Sequence, residues 1–265
     1  MTLQLLPAIA ASALFAASGA CAQAGLSYVQ AGRLLADPAS GAVTTQKTLV
    51  VQDGKVVRIE DGYTSVPGAE VVDLHDSFVL PGLIDSHVHL TAQAGSGSRL
   101  DTVTKTAADQ AIDGALHARR TLEAGFTTVV DLGGDNDAVF ALRDGIRAGK
   151  IPGPRVIAAG SIVTPEGGHG DAQNWSPKVM EVVKSPTACS GADTCRRVVR
   201  EQVRAGADVI KIVATGGVLD DSATGVDQQF TDEELKAIIQ TAHMLGRHVA
   251  AHAHGKEGMR RAIEG

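Results

Sequence analysis

Aromatic side chains are scarce in this chain, and its positive charges are not gathered anywhere along the sequence. Aromatic residues make up 3% of the 265 residues, whereas glycine occurs thirty times. Such a composition is typical of many tight turns between strands and helices. The formal net charge is −6, and the lysines and arginines are dispersed. We therefore expect no nucleic-acid partner, because nucleic-acid binding requires a clustered basic surface.

No long uninterrupted apolar run is present either, although the first 24 residues lack any charged side chain. Their apolar run is interrupted by Pro7 and is short for a membrane-spanning helix. It ends in Ala22-Gln-Ala24, a small-residue cleavage pattern. We interpret residues 1–24 as a secretory signal peptide, with a buried N-terminal helix as the alternative. The prediction is a protein without a membrane span, exported to the periplasm or out of the cell.

Cysteine is rare, and removal of residues 1–24 would leave only Cys189 and Cys195. An even number of cysteines in an exported chain favours a disulfide that closes a small loop. Two free thiols are the alternative. The five intervening residues do not match the common zinc-site spacings, so we do not expect this pair to bind a metal.

The chain reads as two regions after the signal peptide. Residues 25–79 contain four β-type runs with Asp53-Gly54 as a hairpin turn, which predicts a small sheet that needs support from elsewhere. Residues 80–265 alternate strand and helix patterns, which predicts a parallel sheet or barrel. The strands of this second region are expected at 80–89, 127–131, 155–159, 208–213 and 247–251. The helices are expected at 106–123, 137–148, 193–205 and from 231 to about 246.

Two His-x-His pairs occupy equivalent places in this pattern. His87 and His89 end the first apolar strand, and His252 and His254 end the fifth. Side chains alternate along a strand, so the two imidazoles of each pair point to the same side. Paired imidazoles suit a cation such as zinc. The alternative is histidines whose hydrogen bonds are satisfied within the fold.

Three motifs together resemble the metal-dependent amidohydrolase superfamily. The segment Leu80-Pro-Gly-Leu-Ile-Asp-Ser-His-Val-His89 resembles its first barrel strand. Residues 207–218 resemble the fourth strand in the branch with a carboxylated lysine, and residues 246–255 resemble the fifth. The nearest group is the Xaa-Pro dipeptidase, zinc carboxypeptidase and ochratoxinase-like branch. The resemblance runs from about Ser27 to the last residue.

The resemblance implies an α/β fold, a (β/α)8 TIM-type barrel preceded by part of a small β-sandwich. It also implies two divalent metal ions, with zinc as the expected element. His87 and His89 would hold the more buried ion, and His252 would bind the second. Lys211 would react with carbon dioxide to form a bridging carbamate. On the residues alone, the Lys211 ammonium could instead reach solvent or a nearby aspartate.

The same resemblance assigns two further histidines to the substrate. His254 would contact the substrate and steady the reacting carbonyl, although which of His252 and His254 binds metal stays open. His169 lies in a Gly-rich loop after the third strand and would also face the substrate, with a mobile surface histidine as the alternative. Asp85 is a candidate acceptor that fixes the tautomer of a metal ligand. Asp131 is a strand-end residue with a weaker claim.

The function implied is hydrolysis of an amide or peptide bond by metal-bound hydroxide, in a dipeptide or N-acyl amino acid. The family's sixth-strand histidine and eighth-strand aspartate have no counterpart in these residues. We therefore expect a barrel truncated after about five βα units, part of an enzyme that forms homo-oligomers only when full-length, if at all. The alternatives are a catalytically silent fragment and a cyclic amide or imide hydrolase related to imidazolonepropionase. Lys211 favours a two-metal site over that single-metal type.

Overall fold

The computed structural model describes residues 25–95, 97–218 and 225–265. The signal peptide proposed for residues 1–24 lies outside the described residues. The chain divides into two compact units, with the division between Pro81 and Gly82. Within the described ranges, no helix has both the length and the apolar character needed to cross a membrane.

The first unit contains one four-stranded sheet in its described part. Its strands are β1 (Leu26–Leu34), β2 (Thr44–Gln52), β3 (Lys55–Asp61) and β4 (Glu70–Val79). Their order is β3-β2-β1-β4, with β1 antiparallel to β2 and parallel to β4. Asp53 and Gly54 join β2 to β3 with φ angles of 51° and 74°, the positive values that a type I′ hairpin turn needs. All four strands predicted from the sequence are present.

The strands of the second unit are β5 to β11. They are β5 (Leu83–Val88), β6 (Phe126–Asp131), β7 (Arg155–Ala158), β8 (Thr164–Pro165), β9 (Ala188–Cys189), β10 (Val209–Val213) and β11 (His248–His252). Strands β5, β6 and β7 form one parallel sheet, and β10 and β11 form another. The Asp208 amide donates to the Ala158 carbonyl at 2.8 Å, and Val163 bridges Ile212. These contacts join the two sheets into a succession of parallel strands.

Helices alternate with these strands. They are α1 (Ser98–Thr104), α2 (Ala107–Glu123), α3 (Asn136–Arg147), α4 (Pro177–Val183), α5 (Ala192–Ala205), α6 (Asp232–Met244) and α7 (Lys256–Glu264). Thr106 and Thr231 close capping boxes at the starts of α2 and α6, as the Thr-x-x-acid pattern of the second predicts. The short helices α1, α4 and α7 were not expected from the sequence.

The core of the second unit lies where α3, α5 and α6 cover the strands. Val129, Ile210 and Ile238 are among its fully buried members. Cys189 and Cys195 are also fully buried and form a disulfide, as their even number predicts. Cys189 belongs to β9, which pairs with β8 just before the loop that carries His169. The disulfide therefore braces one end of a loop that belongs to the candidate site.

Candidate active site

The first histidine pair lies at the carboxyl end of β5. His87 belongs to the strand, His89 follows it, and their ring centroids are 5.4 Å apart. His89 Nδ1 donates to the Gly133 carbonyl oxygen at 2.9 Å. A carbonyl can only accept, so the proton of a neutral His89 ring lies on Nδ1 and the Nε2 lone pair is left available. Both side chains are exposed.

Lys211 lies at the centre of β10, whose five residues are all buried. Its side chain is 3% exposed, and it makes no side-chain hydrogen bond or ion pair within the described part of the chain. Burial lowers the pKa of Lys211 to about 8. A substantial neutral fraction near pH 8 is the state in which an amine can react with carbon dioxide.

The second histidine pair lies beside Lys211. In the ladder between β10 and β11, Lys211 pairs with Ala250 and Val213 pairs with His252. Residues two apart share a face, so Lys211 and His252 project to the same side of the sheet. The ring of His254 lies 4.8 Å from that of His252, and its backbone amide donates to Thr215 Oγ1 at 2.9 Å.

His169 joins this group from the loop after β8. Its ring centroid is 4.4 Å from that of His252. Its backbone amide donates to Gln229 Oε1 at 2.8 Å, which fixes the loop. Gly217 lies against the ring, because a Cβ built at that position would be 2.3 Å from His169 Cε1. His169 therefore lies beside His252, and its loop is held in place by specific contacts.

Electrostatic effects show that the candidate residues converge. The pKa of His252 is lowered to about 4, mainly by burial and further by the charges of His169, His254 and Lys211. Burial also lowers the pKa of His87, and Lys211 again contributes. The charge of Lys211 thus contributes to the lowered pKa of one histidine in each pair. Five of the six candidate residues lie near or after the carboxyl ends of strands, where barrel enzymes place their chemistry, and Lys211 lies at the centre of β10.

Two aspartates near the first pair contact the backbone, not the imidazoles. Asp85 Oδ1 accepts from the His87 backbone amide at 3.0 Å. The tautomer of His89 is fixed by the Gly133 carbonyl, so the expectation that Asp85 orients a ring is not what the structure shows. Asp131 is fully buried, and burial raises its pKa while the amides of Leu90 and Gly133 oppose the rise. No sequence motif marked the Gly133 carbonyl, because any residue supplies one.

The donor set suits divalent cations such as zinc. Among the described residues, the buried His252 Nε2 has no hydrogen-bond partner, which is costly for an imidazole nitrogen unless something else occupies its lone pair. His89 Nε2 is available, and Lys211 can supply an anionic oxygen once it is carboxylated. Among the described residues, however, no three His, Cys, Asp or Glu side chains stand together as a ready-made metal cage. The roles of the four candidate ligands therefore stay predictions.

A cavity of about 620 Å³ lies beside the site in the second unit. Loops after β5 and β6, together with α1 and α2, supply most of its wall. Gly134 and Gly170 line it and are the sequence neighbours of Gly133 and His169. None of the six candidate residues lines the cavity, so its position is beside the histidines and not between them.

Comparison with known proteins identifies the family. The model of the amidohydrolase family matches residues 78–265, which is more than half of the chain. The chain belongs to the amidohydrolase family. The resemblance inferred from the three strand motifs is thereby confirmed, and so is the expected class of fold.

Individual relatives are similar over nearly all of the chain. Ochratoxinase from Aspergillus niger is 31% identical over 91% of the chain and 53% of its own length. A crystal structure of a Xaa-Pro dipeptidase with methionine bound in the active site is 36% identical, with a TM-score of 0.80, over 90% of this chain and 59% of that one. A prolidase complexed with N-methylphosphonate-L-proline is 28% identical, with a TM-score of 0.74, over 90% and 59%. The chain thus spans between half and three fifths of these relatives.

Proposed function

We propose that this chain carries the metal-binding region of an amidohydrolase that hydrolyses a carbon–nitrogen bond in a dipeptide or N-acyl amino acid. The observation that carries the proposal is the convergence of Lys211 with both histidine pairs. A buried lysine beside a His252 Nε2 that has no hydrogen-bond partner among the described residues is unfavourable for folding alone. A site that binds metal gives both groups a partner, and the donor types favour zinc.

The residues of the chain have separate tasks in this proposal. His87, His89 and His252 supply neutral imidazole nitrogens. Lys211 attacks carbon dioxide as the free amine, so a nitrogen–carbon bond forms, one proton leaves, and an anionic carbamate results. Two bound cations would lower the pKa of a water molecule and polarise the amide carbonyl.

His254 and His169 are proposed to face the substrate. The Thr215 hydroxyl holds the His254 backbone, and Gln229 holds the His169 backbone, so both rings start from fixed positions. Ring nitrogens there can donate to the oxygen of the reacting carbonyl, where negative charge develops. The substrate class follows the names of the similar proteins, a Xaa-Pro dipeptidase and a prolidase bound to a proline derivative. Export of the protein remains part of the proposal and rests only on residues 1–24.

The test is metal content with and without the carbamate-forming lysine. Zinc bound by the purified chain is measured after growth with bicarbonate, for the wild type, Lys211→Ala and Lys236→Ala. Lys236 is an exposed lysine on α6 and serves as the matched control. We expect about two zinc ions in the wild type and the control, and one or none in Lys211→Ala. Two zinc ions in Lys211→Ala would refute the bridging role. The same samples are then screened against Xaa-Pro dipeptides and N-acyl amino acids.

A further inference from the structure

A buried carboxylate ties together the two backbone segments that flank His89. Asp131 Oδ2 accepts from the Leu90 amide at 2.9 Å, and Asp131 Oδ1 accepts from the Gly133 amide at 3.2 Å. Leu90 directly follows His89, and Gly133 is the residue whose carbonyl accepts from His89 Nδ1. Asp131 is fully buried, so water does not compete for these bonds. The Asp131 side chain thus holds the backbone beside His89 and the backbone of the residue that accepts the hydrogen bond from His89.

The backbone at Gly133 is shaped for this contact. Its φ angle is 155°, a conformation that residues with side chains rarely adopt. A Cβ there would lie 2.8 Å from Ile162 Cδ1 and 3.1 Å from His89 Cε1. The peptide of Gly133 therefore lies directly against the imidazole, with its amide held by Asp131 and its carbonyl turned to Nδ1. If the amide were released, the carbonyl could rotate away from the ring.

A second imidazole, that of His117, contacts the backbone of Leu90 on its carbonyl side. His117, on α2, donates from Nδ1 to the Leu90 carbonyl oxygen at 2.8 Å. The Leu90 residue is consequently held at its amide by Asp131 and at its carbonyl by His117. The continuous path from α2 runs through His117, Leu90, Asp131 and Gly133 to the ring of His89.

We propose that Asp131 is a positioning residue that keeps His89 in the Nδ1–H tautomer with Nε2 free, and that His117 supports it through Leu90. Neither residue is one of the proposed metal ligands. Their effect on metal binding rests on the proposed function, whereas their effect on the His89 tautomer does not. Partners behind a metal-binding histidine commonly change metal affinity by about 10- to 100-fold when they are lost.

The test compares Asp131→Asn with Asp208→Asn. The substitution at position 131 keeps the size of the side chain, but the new amide offers one acceptor and one NH₂ donor to two backbone amides, so one of the two bonds must fail. Asp208 is the matched control, because its carboxylate also accepts from a backbone amide, that of Ala158 at 3.0 Å, and pairs with Arg143. Its contacts in the described part of the chain include no imidazole. Both variants lose carboxylate hydrogen bonds, but only one loses the path to His89.

The main measurement is the His89 tautomer in the metal-free full chain, read from ¹⁵N chemical shifts at about pH 8. We expect the Nδ1–H form to dominate in the wild type and in Asp208→Asn, and a mixture in Asp131→Asn. Zinc titration should show about 10- to 100-fold weaker binding in Asp131→Asn alone. An unchanged tautomer in a folded Asp131→Asn protein would overturn the proposal.

His117→Phe provides a second variant if Asp131→Asn does not fold. It keeps a ring on α2 but removes the donor to Leu90, so we expect a smaller shift toward the mixed tautomer. A His89 ring that is unaffected in His117→Phe would remove His117 from the path. If the wild type fixes the tautomer and Asp131→Asn releases it, but neither binds zinc, the positioning role stands and the proposed metal function fails. The two proposals are therefore separable.

Discussion

The two His-x-His pairs have the same sequence pattern and different surroundings. His87 and His89 are exposed, and the orientation of the second ring is set by a backbone carbonyl. His252 is partly buried between two other imidazoles, and its buried Nε2 has no partner in the part of the chain that the structure describes. The pattern places two rings on one side of a strand, but the neighbouring elements decide how each ring is held.

The difference indicates what each pair requires from the fold. The first pair gains its geometry from a turn after β6, so it is preorganised by hydrogen bonds. The second pair is held by packing against His169 and the strand that carries Lys211, so burial and charge dominate. The assignment of the more buried ion to His87 and His89 stays a prediction. Among the described residues, nothing satisfies the buried Nε2 of His252, so we expect a bound metal to stabilise that ring most.

The largest effect should come from removing a proposed ligand from each pair. His252→Ala and His89→Ala should each weaken zinc binding by more than about a hundredfold, beyond the range for residues that only support a ligand. Zinc titration followed by elemental analysis would measure both. His248→Ala, an exposed histidine at the other end of β11, is the control. If His89→Ala binds zinc like the control, the first pair is not a metal site.

The next effect separates the two members of the second pair. His254→Ala should keep its zinc and lose turnover by about 10²- to 10³-fold, the range for removal of one donor to a developing negative charge. Metal content and kcat must be measured on the same preparation, with protein that hydrolyses a substrate. A metal-free His254→Ala beside a zinc-replete His252→Ala would exchange the roles of the two residues.

The sequence was sufficient for the elements that depend on local pattern. Five of the seven strands described in the second unit were predicted, and so were the helices α2, α3, α5 and α6, because apolar spacing and capping residues act locally. The two-residue strands β8 and β9 were not predicted. Each candidate site residue follows or occupies a parallel strand, and parallel strands have their carboxyl ends at one edge, so the pattern predicts that these residues share one side of the fold. The family motifs added the roles, which the structure leaves as predictions.

Other features depend on contacts between distant residues and could not be predicted. The Gly133 carbonyl that fixes His89 is a backbone group, and every residue has one, so the residue type does not predict the contact. The path from His117 through Leu90 connects residues 27 positions apart by one hydrogen bond. Helix α7 begins at Lys256 and contains ion pairs of Glu257 with Arg260 and Arg261. Such charge pairs indicate a helix in a sequence less clearly than an apolar stripe does.

A third prediction concerns the stability of the metal-free chain in acid. The folded pKa of His252 is lowered to about 4 from an ordinary value of 6.5. Between pH 6.5 and 4, the His252 imidazole is protonated in the unfolded chain but stays neutral in the folded chain. The stability of the fold that is present above pH 6.5 is therefore lost as the pH falls toward 4. His252 alone should reduce the folding constant by about tenfold per pH unit inside this window.

Urea unfolding in a chelating buffer at several pH values would measure this dependence. His252→Gln should show a shallower fall in stability than the wild type, because its amide does not titrate. His243→Gln, at an exposed position on α6, should follow the wild type. Equal slopes in all three proteins would show that the unpaired His252 ring does not control acid stability, and would weaken the contrast between the two pairs.

The smallest effect should come from the close approach between Gly217 and His169. A Cβ at position 217 would lie 2.3 Å from His169 Cε1 and 2.7 Å from its ring nitrogens, so Gly217→Ala must displace the imidazole. The ring is at the end of a side chain and can move without disturbing the core.

We expect zinc binding to stay within about twofold of the wild type and kcat to fall by about tenfold, since a displaced donor is weakened but not removed. Gly95→Ala, at a glycine with open space around it and no positive φ angle, controls for the added methyl group. If Gly217→Ala loses zinc while the control keeps it, His169 supports the metal through His252 and does not act only on the substrate.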